Sequence, residues 1–334
     1  MDTKQIVLAS RPLGLPSAEN FRTGEIVLDK LNDNEVLLKS WYISVDPYMR
    51  GRMSSVKSYA ASFDIDKPVK GGVVARVVES RSNTLREGDT VTGILPWATY
   101  SIANADNLRK VDAVSFPPGY HLGILGMPGL TAYFGIIEIG KPKEGETVVI
   151  SGAAGAVGIV AGQIARISGA RVVGIAGTDE KCKLITDQFG YNSAINYKTS
   201  KSLRKEIAAA CPDGVDVYFD NVGGEITDAV VANLNNHSRF VLCGQISQYN
   251  NTRIPTGPPI LPVLLIRSVM LQGFIVSNFS ARFDEAMKKL TGWVSDGSLK
   301  YTQTIINGFD KLPETFIGLF SGINQGKMLV KVEE

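Results

Sequence analysis

Histidine and cysteine are scarce: the 334 residues include two histidines, His121 and His237, and three cysteines, Cys182, Cys211 and Cys243. An odd, widely spaced set of cysteines argues against a disulfide framework and fits a reducing cytoplasm. A catalytic zinc draws three protein ligands from Cys, His and carboxylates, and a structural zinc commonly takes four Cys. Residues 1–125 contain no cysteine and residues 80–115 offer no cluster, so ligand supply excludes a zinc site. The two histidines read most simply as structural. Excess charge of one sign is missing too. Thirty-five Lys and Arg against 33 Asp and Glu leave a net charge of +2 with no basic block, so nothing points to nucleic acid or an anionic membrane. Residues 1–10 lack the apolar stretch of a secretory signal. Long hydrophobic runs are few: residues 260–276 are interrupted by Arg267 and short for a membrane span. Residues 148–165 carry no charge, but glycine and alanine dominate 152–158 and make a poor span. No Ser-His-Asp or Cys-His arrangement stands out, and no repeat or low-complexity segment is present.

The length predicts about two domains, and 44% hydrophobic with 20% charged residues describes a folded globular chain. Residues 1–125 read as mostly β: segments 34–43, 72–79 and 89–94 cluster β-formers between Gly, Pro and Asn breaks. Residues 17–21 and 48–59 read as irregular or exposed connections. After Pro117-Pro118-Gly119 the character changes, and 126–295 alternates strands with helices, as in a doubly wound parallel sheet. Strands are predicted at 148–150, 171–175, 194–196, 215–220, 240–243 and 270–276. Helices are predicted at 157–167, 180–189 and 202–210, with another after 221–224. Residues 296–334 are expected to return to the first domain, with strands at 301–306 and 327–332 and a helix near 313–320.

The chemistry begins at Gly152, Gly155 and Gly158, spaced by three between a β-branched strand and an apolar helix. Strand, glycine turn and helix in that order let backbone N–H groups approach a pyrophosphate, whose charge the helix N-terminus favours. A NAD site places an acid at the end of the next strand, about 20 residues on, for the ribose 2′-hydroxyl. Here that position is Ala176-Gly177, followed by Lys181 and Lys183, so NADP(H) is favoured. Asp179 and Glu180 complement the dipole of the next helix. A solvated surface lysine is the competing reading of Lys181. For acid–base work tyrosines remain: Tyr48 in Asp46-Pro-Tyr-Met-Arg-Gly51, Tyr59 beyond it, and Tyr249 after the strand ending at Cys243. A phenol can hydrogen-bond a developing enolate without a metal. Packing or interface roles fit Tyr48 and Tyr59 equally well, and Cys243 reads as a small buried hydrophobe.

These residues sit in longer motifs: Leu8-Ala-Ser-Arg-Pro12, Glu19-Asn-Phe-Arg22, Val45-Asp-Pro-Tyr-Met-Arg-Gly-Arg-Met53, Gly126-Met-Pro-Gly-Leu-Thr-Ala-Tyr133, Lys141-Pro-Lys-Glu-Gly-Glu146, Asp220-Asn-Val-Gly-Gly224 and Leu271-Gln-Gly-Phe274. Through them nearly the whole chain resembles the medium-chain dehydrogenase/reductase superfamily, in the zinc-free branch of prostaglandin, double-bond and curcumin reductases. The resemblance implies an α/β protein: a GroES-like mostly-β catalytic domain (1–125, with 296–334) and a Rossmann NADP-binding domain (126–295), with a cleft between them. It implies that Gly155, Ala156, Val157 and Gly158 hold the pyrophosphate, and that Lys181 and Tyr197, with Asn221 nearby, hold the 2′-phosphate end. Cys243, Gly244, Gln245, Ile246, Ser247 and Tyr249, with Phe274, Ile275 and Val276, would line ribose and nicotinamide. Asn324 would touch the cofactor, and Met127 and Thr131 would border the nicotinamide pocket.

The implied reaction is hydride transfer from NADPH to the β-carbon of an α,β-unsaturated ketone or aldehyde, with no metal. The chain departs from many prostaglandin reductases in one place, where Ile266 stands for a tyrosine. The polarising or orienting role of that tyrosine then falls to Tyr249, our first choice, or to Tyr48, or is dispensable. A quinone reductase of the same superfamily and an NADPH-sensing protein without turnover are the alternatives. A homodimer through the edge strand at 270–276 is the family expectation.

Overall fold

A computed structural model describes residues 1–332. The chain forms two compact units: Met1–Leu122 with Gln303–Asn324 and the segment from Met328 onward, and Gly123–Thr302 with Gln325–Lys327.

The first unit opens on an antiparallel hairpin, β1 (Asp2–Leu8) with β2 (Phe21–Val27). It continues through β3 (Glu35–Ser44), the single helical turn α1 (Met49–Arg52), β4 (Lys70–Ser80), β5 (Thr90–Pro96), β6 (Tyr100–Asn104) and β7 (Arg109–Lys110). Along β3, Val36, Leu38 and Ser40 are buried in the alternation of a sheet with one face on a core, and a register shift between Ser40 and Tyr42 brings Ile43 inward after them. The wholly buried Trp97 anchors that core, with the Phe21 ring stacked at 6.1 Å and Phe316 edge-on at 6.2 Å. Such aromatic pairs contribute about 1 kcal/mol each beyond their burial. His121 is structural: its Nε2 lies 2.9 Å from the Asp112 carbonyl, and burial lowers its pKa so that the ring stays neutral.

In the second unit α2 (Met127–Phe134) runs into a π-helical turn at Gly135–Gly140. The Arg239 guanidinium donates to the carbonyls of Gly140 and Lys141, closes the end of that turn, and pairs with Glu146. Strands and helices then alternate: β8 (Thr147–Ser151), α3 (Gly158–Ile167), β9 (Arg171–Ala176), α4 (Asp179–Phe189), β10 (Ser193–Asn196), α5 (Leu203–Ala210), β11 (Val215–Asp220), α6 (Gly224–Val231), β12 (Leu234–Leu242), α7 (Leu261–Ile266), β13 (Met270–Gly273) and α8 (Phe283–Ser295). The six strands pair in parallel in the order β10-β9-β8-β11-β12-β13. All five residues of β8 are buried, which explains its unbroken β-branched run. The winding reverses between β8 and β11, so the carboxyl ends of these two strands flank the switch point where doubly wound sheets take their ligands.

The chain then adds β14 (Gln303–Asn307), α9 (Leu312–Gly318) and β15 (Lys327–Lys331). These strands extend the sheet of the first unit, whose order is β14-β15-β3-β4-β5-β7, with β6 also on β3.

Several elements differ from the sequence reading. The apolar run at 260–276 divides because Ser268 takes a left-handed backbone (φ 52°) that ends α7 before β13 starts. Phe274, Ile275 and Val276 therefore lie past the strand, not in it. The connection at 48–59 contains α1, with Met49 and Arg50 buried. The β1–β2 hairpin and the helices α2 and α8 were not legible beforehand. Residues 148–165 are a strand, a turn and a helix, and among the described residues no helix is long and apolar enough to cross a membrane.

One packing contact is tight enough to test. The Tyr191 hydroxyl donates to the Gly158 carbonyl at 2.7 Å, and a Cβ at Gly162 would fall 2.2 Å from the Tyr191 ring. Gly162→Ala should lower unfolding stability by about 1–3 kcal/mol in urea titration, as overpacking does. An unchanged midpoint would show that Tyr191 can move aside.

Candidate active site

The glycine turn of residues 152–158 joins β8 to α3. Gly152 has a left-handed backbone (φ 59°) that other residues rarely adopt. A Cβ on Gly158 would lie 2.4 Å from the Gly152 carbonyl oxygen and 2.7 Å from the Cα of Ala153. The turn is thus a backbone cradle that side chains would fill, opening at the N-terminus of a ten-residue helix. That arrangement suits an anionic diphosphate. Gly155, Ala156, Val157 and Gly158 all lie in this turn or at the first position of α3. The Gly326 N–H donates to the Ala154 carbonyl at 2.8 Å, so the Gln325–Lys327 segment braces the turn from the other end of the sequence. Asn324 belongs to the first unit, one residue before that brace.

At the end of β9, Thr178 caps α4 by accepting from the Lys181 N–H. Asp179, one of the two acids in the first turn of α4, accepts from the Asn196 amide at 2.8 Å. Lys181 is half-buried and its pKa is lowered, first by burial and then by the nearby Lys198 ammonium. Lys183 is exposed. A Cβ on Gly177 would come within 3.2 Å of the Tyr197 ring and 3.4 Å of the Lys198 side chain. The structure thus gathers Lys181, Tyr197 and Lys198 around a side-chain-free strand end. Two ammonium groups and a phenol at one place suit a dianionic phosphate. Lys198 was missed in the sequence; its one signal was its place next to Tyr197 at the end of a strand.

At the end of β11 lies a dense polar network. Asp220 has no exposed surface. Its Oδ1 accepts from Ser151 Oγ at 2.7 Å, Tyr218 Oη at 2.8 Å and the N–H groups of Val222 and Gly223, and Oδ2 accepts from Thr227 at 2.6 Å. Asn221 donates its backbone N–H to Ser151 Oγ and its side-chain amide to the Ser151 carbonyl. Asn221 thereby ties β11 to β8. The N–H groups of Cys243 and Gly244 donate to the Asp220 carbonyl and hang residues 243–249 from the same point.

Within that loop Ile246–Gln248 form one turn of 3-10 helix ending at Tyr249, whose hydroxyl oxygen faces the Gln245 N–H at 3.4 Å. Burial raises the pKa of Tyr249, so the phenol keeps its proton at neutral pH. Burial, and then Asp220, push the Cys243 thiol up to about 12, consistent with an inert residue. Phe274 is buried with Phe279 edge-on at 6.2 Å, and Ile275 and Val276 begin the next turn. Met127 and Thr131 stand one helical turn apart on α2, and the Thr131 hydroxyl donates to the Met127 carbonyl.

Tyr48 and Tyr59 belong to the first unit. Tyr48 packs against its core, and burial followed by the Asp46 charge holds its pKa well above the usual phenol value, against Arg52. Tyr59 is exposed, with 63% of its surface accessible. The second unit therefore gathers the glycine turn, the Lys181 cluster, Asn221, residues 243–249, 274–276, Met127 and Thr131. Tyr48, Tyr59 and Asn324 are not among them.

Comparison with known proteins agrees with this architecture. A family described as the N-terminal domain of oxidoreductase matches residues 4–111, and one described as zinc-binding dehydrogenase matches residues 156–292. The oxidoreductase YfmJ of Bacillus subtilis (strain 168) is 52% identical over 333 residues, covering 99% of this chain and 98% of that protein. The NADPH-dependent curcumin reductase of Escherichia coli (strain K12) is 43% identical over 98% of this chain and 96% of its own. The crystal structure of CurA from Vibrio vulnificus in complex with NADPH superposes with a TM-score of 0.95 at 41% identity, covering 99% of each chain. Quinone oxidoreductase structures, at 18–19% identity, share the fold alone.

The chain belongs to the medium-chain dehydrogenase/reductase superfamily, in the branch of the curcumin and prostaglandin reductases, with a GroES-like mostly-β domain and a Rossmann domain. The zinc in one family description does not fit the residues present. The first unit has no cysteine, and among the described residues no group of three or more His, Cys, Asp or Glu could hold a metal ion.

Proposed function

We propose that this protein is an oxidoreductase that uses NADPH to reduce the C=C bond of α,β-unsaturated ketones and aldehydes. The observation that carries the reading is full-length similarity to a protein named for reducing curcumin, a conjugated dienone, joined to a site that fits the same cofactor. The glycine cradle accommodates a diphosphate, and Lys181, Tyr197 and Lys198 accommodate a 2′-phosphate. NADPH, when bound, supplies the hydride that adds to the β-carbon. The protein supplies the surroundings for that step. Residues 155–158 would hold the diphosphate by backbone N–H groups, and Cys243 to Ser247 with Phe274, Ile275 and Val276 would line the ribose and nicotinamide. Met127 and Thr131 would border the pocket, and Asn324 is a further residue assigned to the cofactor.

Tyr249 donates a hydrogen bond to the carbonyl oxygen as negative charge develops there, which its raised pKa allows at neutral pH. Its half-buried position favours it over the exposed Tyr59, and Tyr48 is the second choice. The quinone alternative has only a shared fold behind it. The compartment we assign is the reducing cytoplasm, which keeps Cys182, Cys211 and Cys243 as thiols.

We further propose a homodimer through β13, the edge of the six-stranded sheet. Met270 and Leu271 are 45% and 41% exposed there, and Leu261, Leu265 and Ile266 of α7 are 73–80% exposed. An open strand edge with an apolar flank invites pairing with a second copy. Light scattering should give twice the chain mass, falling to the monomer in Leu265→Glu; a monomeric parent protein would refute the interface.

Loss of NADPH absorbance with a panel of enones, enals, quinones and saturated ketones tests the function, and turnover is expected with the conjugated carbonyls. In Lys181→Glu the KM for NADPH should rise by about 30-fold or more, the cost of turning one charge-assisted phosphate contact into repulsion, while that for NADH changes little. Equal losses for both cofactors would remove Lys181 from the 2′-phosphate site. Tyr249→Phe should lower kcat on an enone by roughly 100-fold, as loss of an oxyanion donor does; unchanged turnover would transfer the role to Tyr48.

A further inference from the structure

The Asp220 network lies beneath the residues proposed to meet the cofactor and does none of the chemistry assigned so far. A carboxylate removed from water costs several kcal/mol unless its lone pairs are filled. Five donors fill these, and they come from three elements: Ser151 at the end of β8, Tyr218 on β11, and Val222, Gly223 and Thr227 in the turn and helix that follow. The turn so held presents two carbonyls to the next loop. Asn221 O accepts from the Ile246 N–H at 3.3 Å, and Val222 O accepts from the Ser247 N–H at 3.1 Å and from Ser247 Oγ at 2.6 Å. A Cβ on Gly223 would come within 3.2 Å of Gln245, and one on Gly244 within 3.4 Å of the Asn221 carbonyl oxygen, so turn and loop fit without slack.

We propose that Asp220 is a positioning residue: through Ser151 and the turn of residues 221–224, its buried carboxylate sets the loop carrying Tyr249, and with it the geometry of hydride transfer. The inference rests on the NADPH reading above. Its chemistry is hydrogen bonding only; Asp220 touches neither cofactor nor substrate and moves no proton. Thr227 and Ser151 hold the carboxylate as it holds the turn, so removing either loosens the loop from a different side.

The test measures kcat, enone KM, thermal midpoint and the primary isotope effect with NADPH deuterated at the hydride-donating carbon. Ser151→Ala and Asp220→Ala should lower kcat by about 10- to 100-fold, as displacement of a reacting group by a fraction of an ångström does. The enone KM should change by less than about threefold, and the isotope effect should grow because transfer becomes limiting. Asp220→Asn, whose amide oxygen can keep the four bonds to Oδ1, should recover most of the activity. Should Asp220→Ala not fold, Ser151→Ala and Thr227→Val, which remove single side-chain oxygens, carry the test. Variants with a lowered thermal midpoint but the parental kcat and isotope effect would overturn the proposal and leave Asp220 purely structural. Failure of the unaltered protein to bind NADPH would instead overturn the functional reading, and this inference with it.

Discussion

A wholly buried carboxylate at the end of β11 holds together the two strand ends between which the sheet reverses its winding. The rest of the second unit's site depends on that union. Parallel strands leave their carboxyl-terminal peptide groups without ladder partners, and at a switch point no crossover helix covers the gap. Asp220 and Ser151 satisfy those groups from inside the protein, so the turns above them stay open toward a ligand. Asn221 shows the consequence: both its backbone N–H and its side-chain amide are engaged with Ser151.

The same economy governs the charged end of the site. Lys181 is half-buried beside a second ammonium, Lys198, and both the burial and the neighbour disfavour its charged form. An ammonium pair in that setting is relieved by an anion more than by water. Of the two carboxylates just before Lys181, Asp179 is bonded to Asn196 and Glu180 is exposed. The proposed 2′-phosphate site thus rests on where the carboxylates are held as much as on where the lysines stand.

The tyrosines divide by environment. Tyr48 and Tyr249 sit where burial raises the phenol pKa, so each is a hydrogen-bond donor at neutral pH and a poor base. Tyr59 is largely exposed. A site that stabilises developing negative charge on oxygen needs a donor that keeps its proton, and burial provides one without a metal.

Much of the fold was legible because it rests on local signals. The β-branched run of β8, the glycines that follow it and the Gly190 stop of α4 each follow from backbone sterics within a few residues. The NADP preference was legible too, since Ala176-Gly177 stands where an acid would be. Long-range partners were not. The β1–β2 hairpin, the brace of Gly326 on Ala154 and the meeting of Lys198 with Lys181 all depend on chain segments that become neighbours only after folding. Asp220 read as one acid in a family motif; its five donors span residues 151 to 227 and had no common sequence signature. The sequence by itself therefore determined most of the alternating elements of the second unit, the glycine cradle and the short supply of zinc ligands, because these follow from what each residue permits. Tertiary structure alone decided which carboxylates are occupied, which lysines meet and which tyrosines are enclosed, because burial and proximity belong to the packed chain.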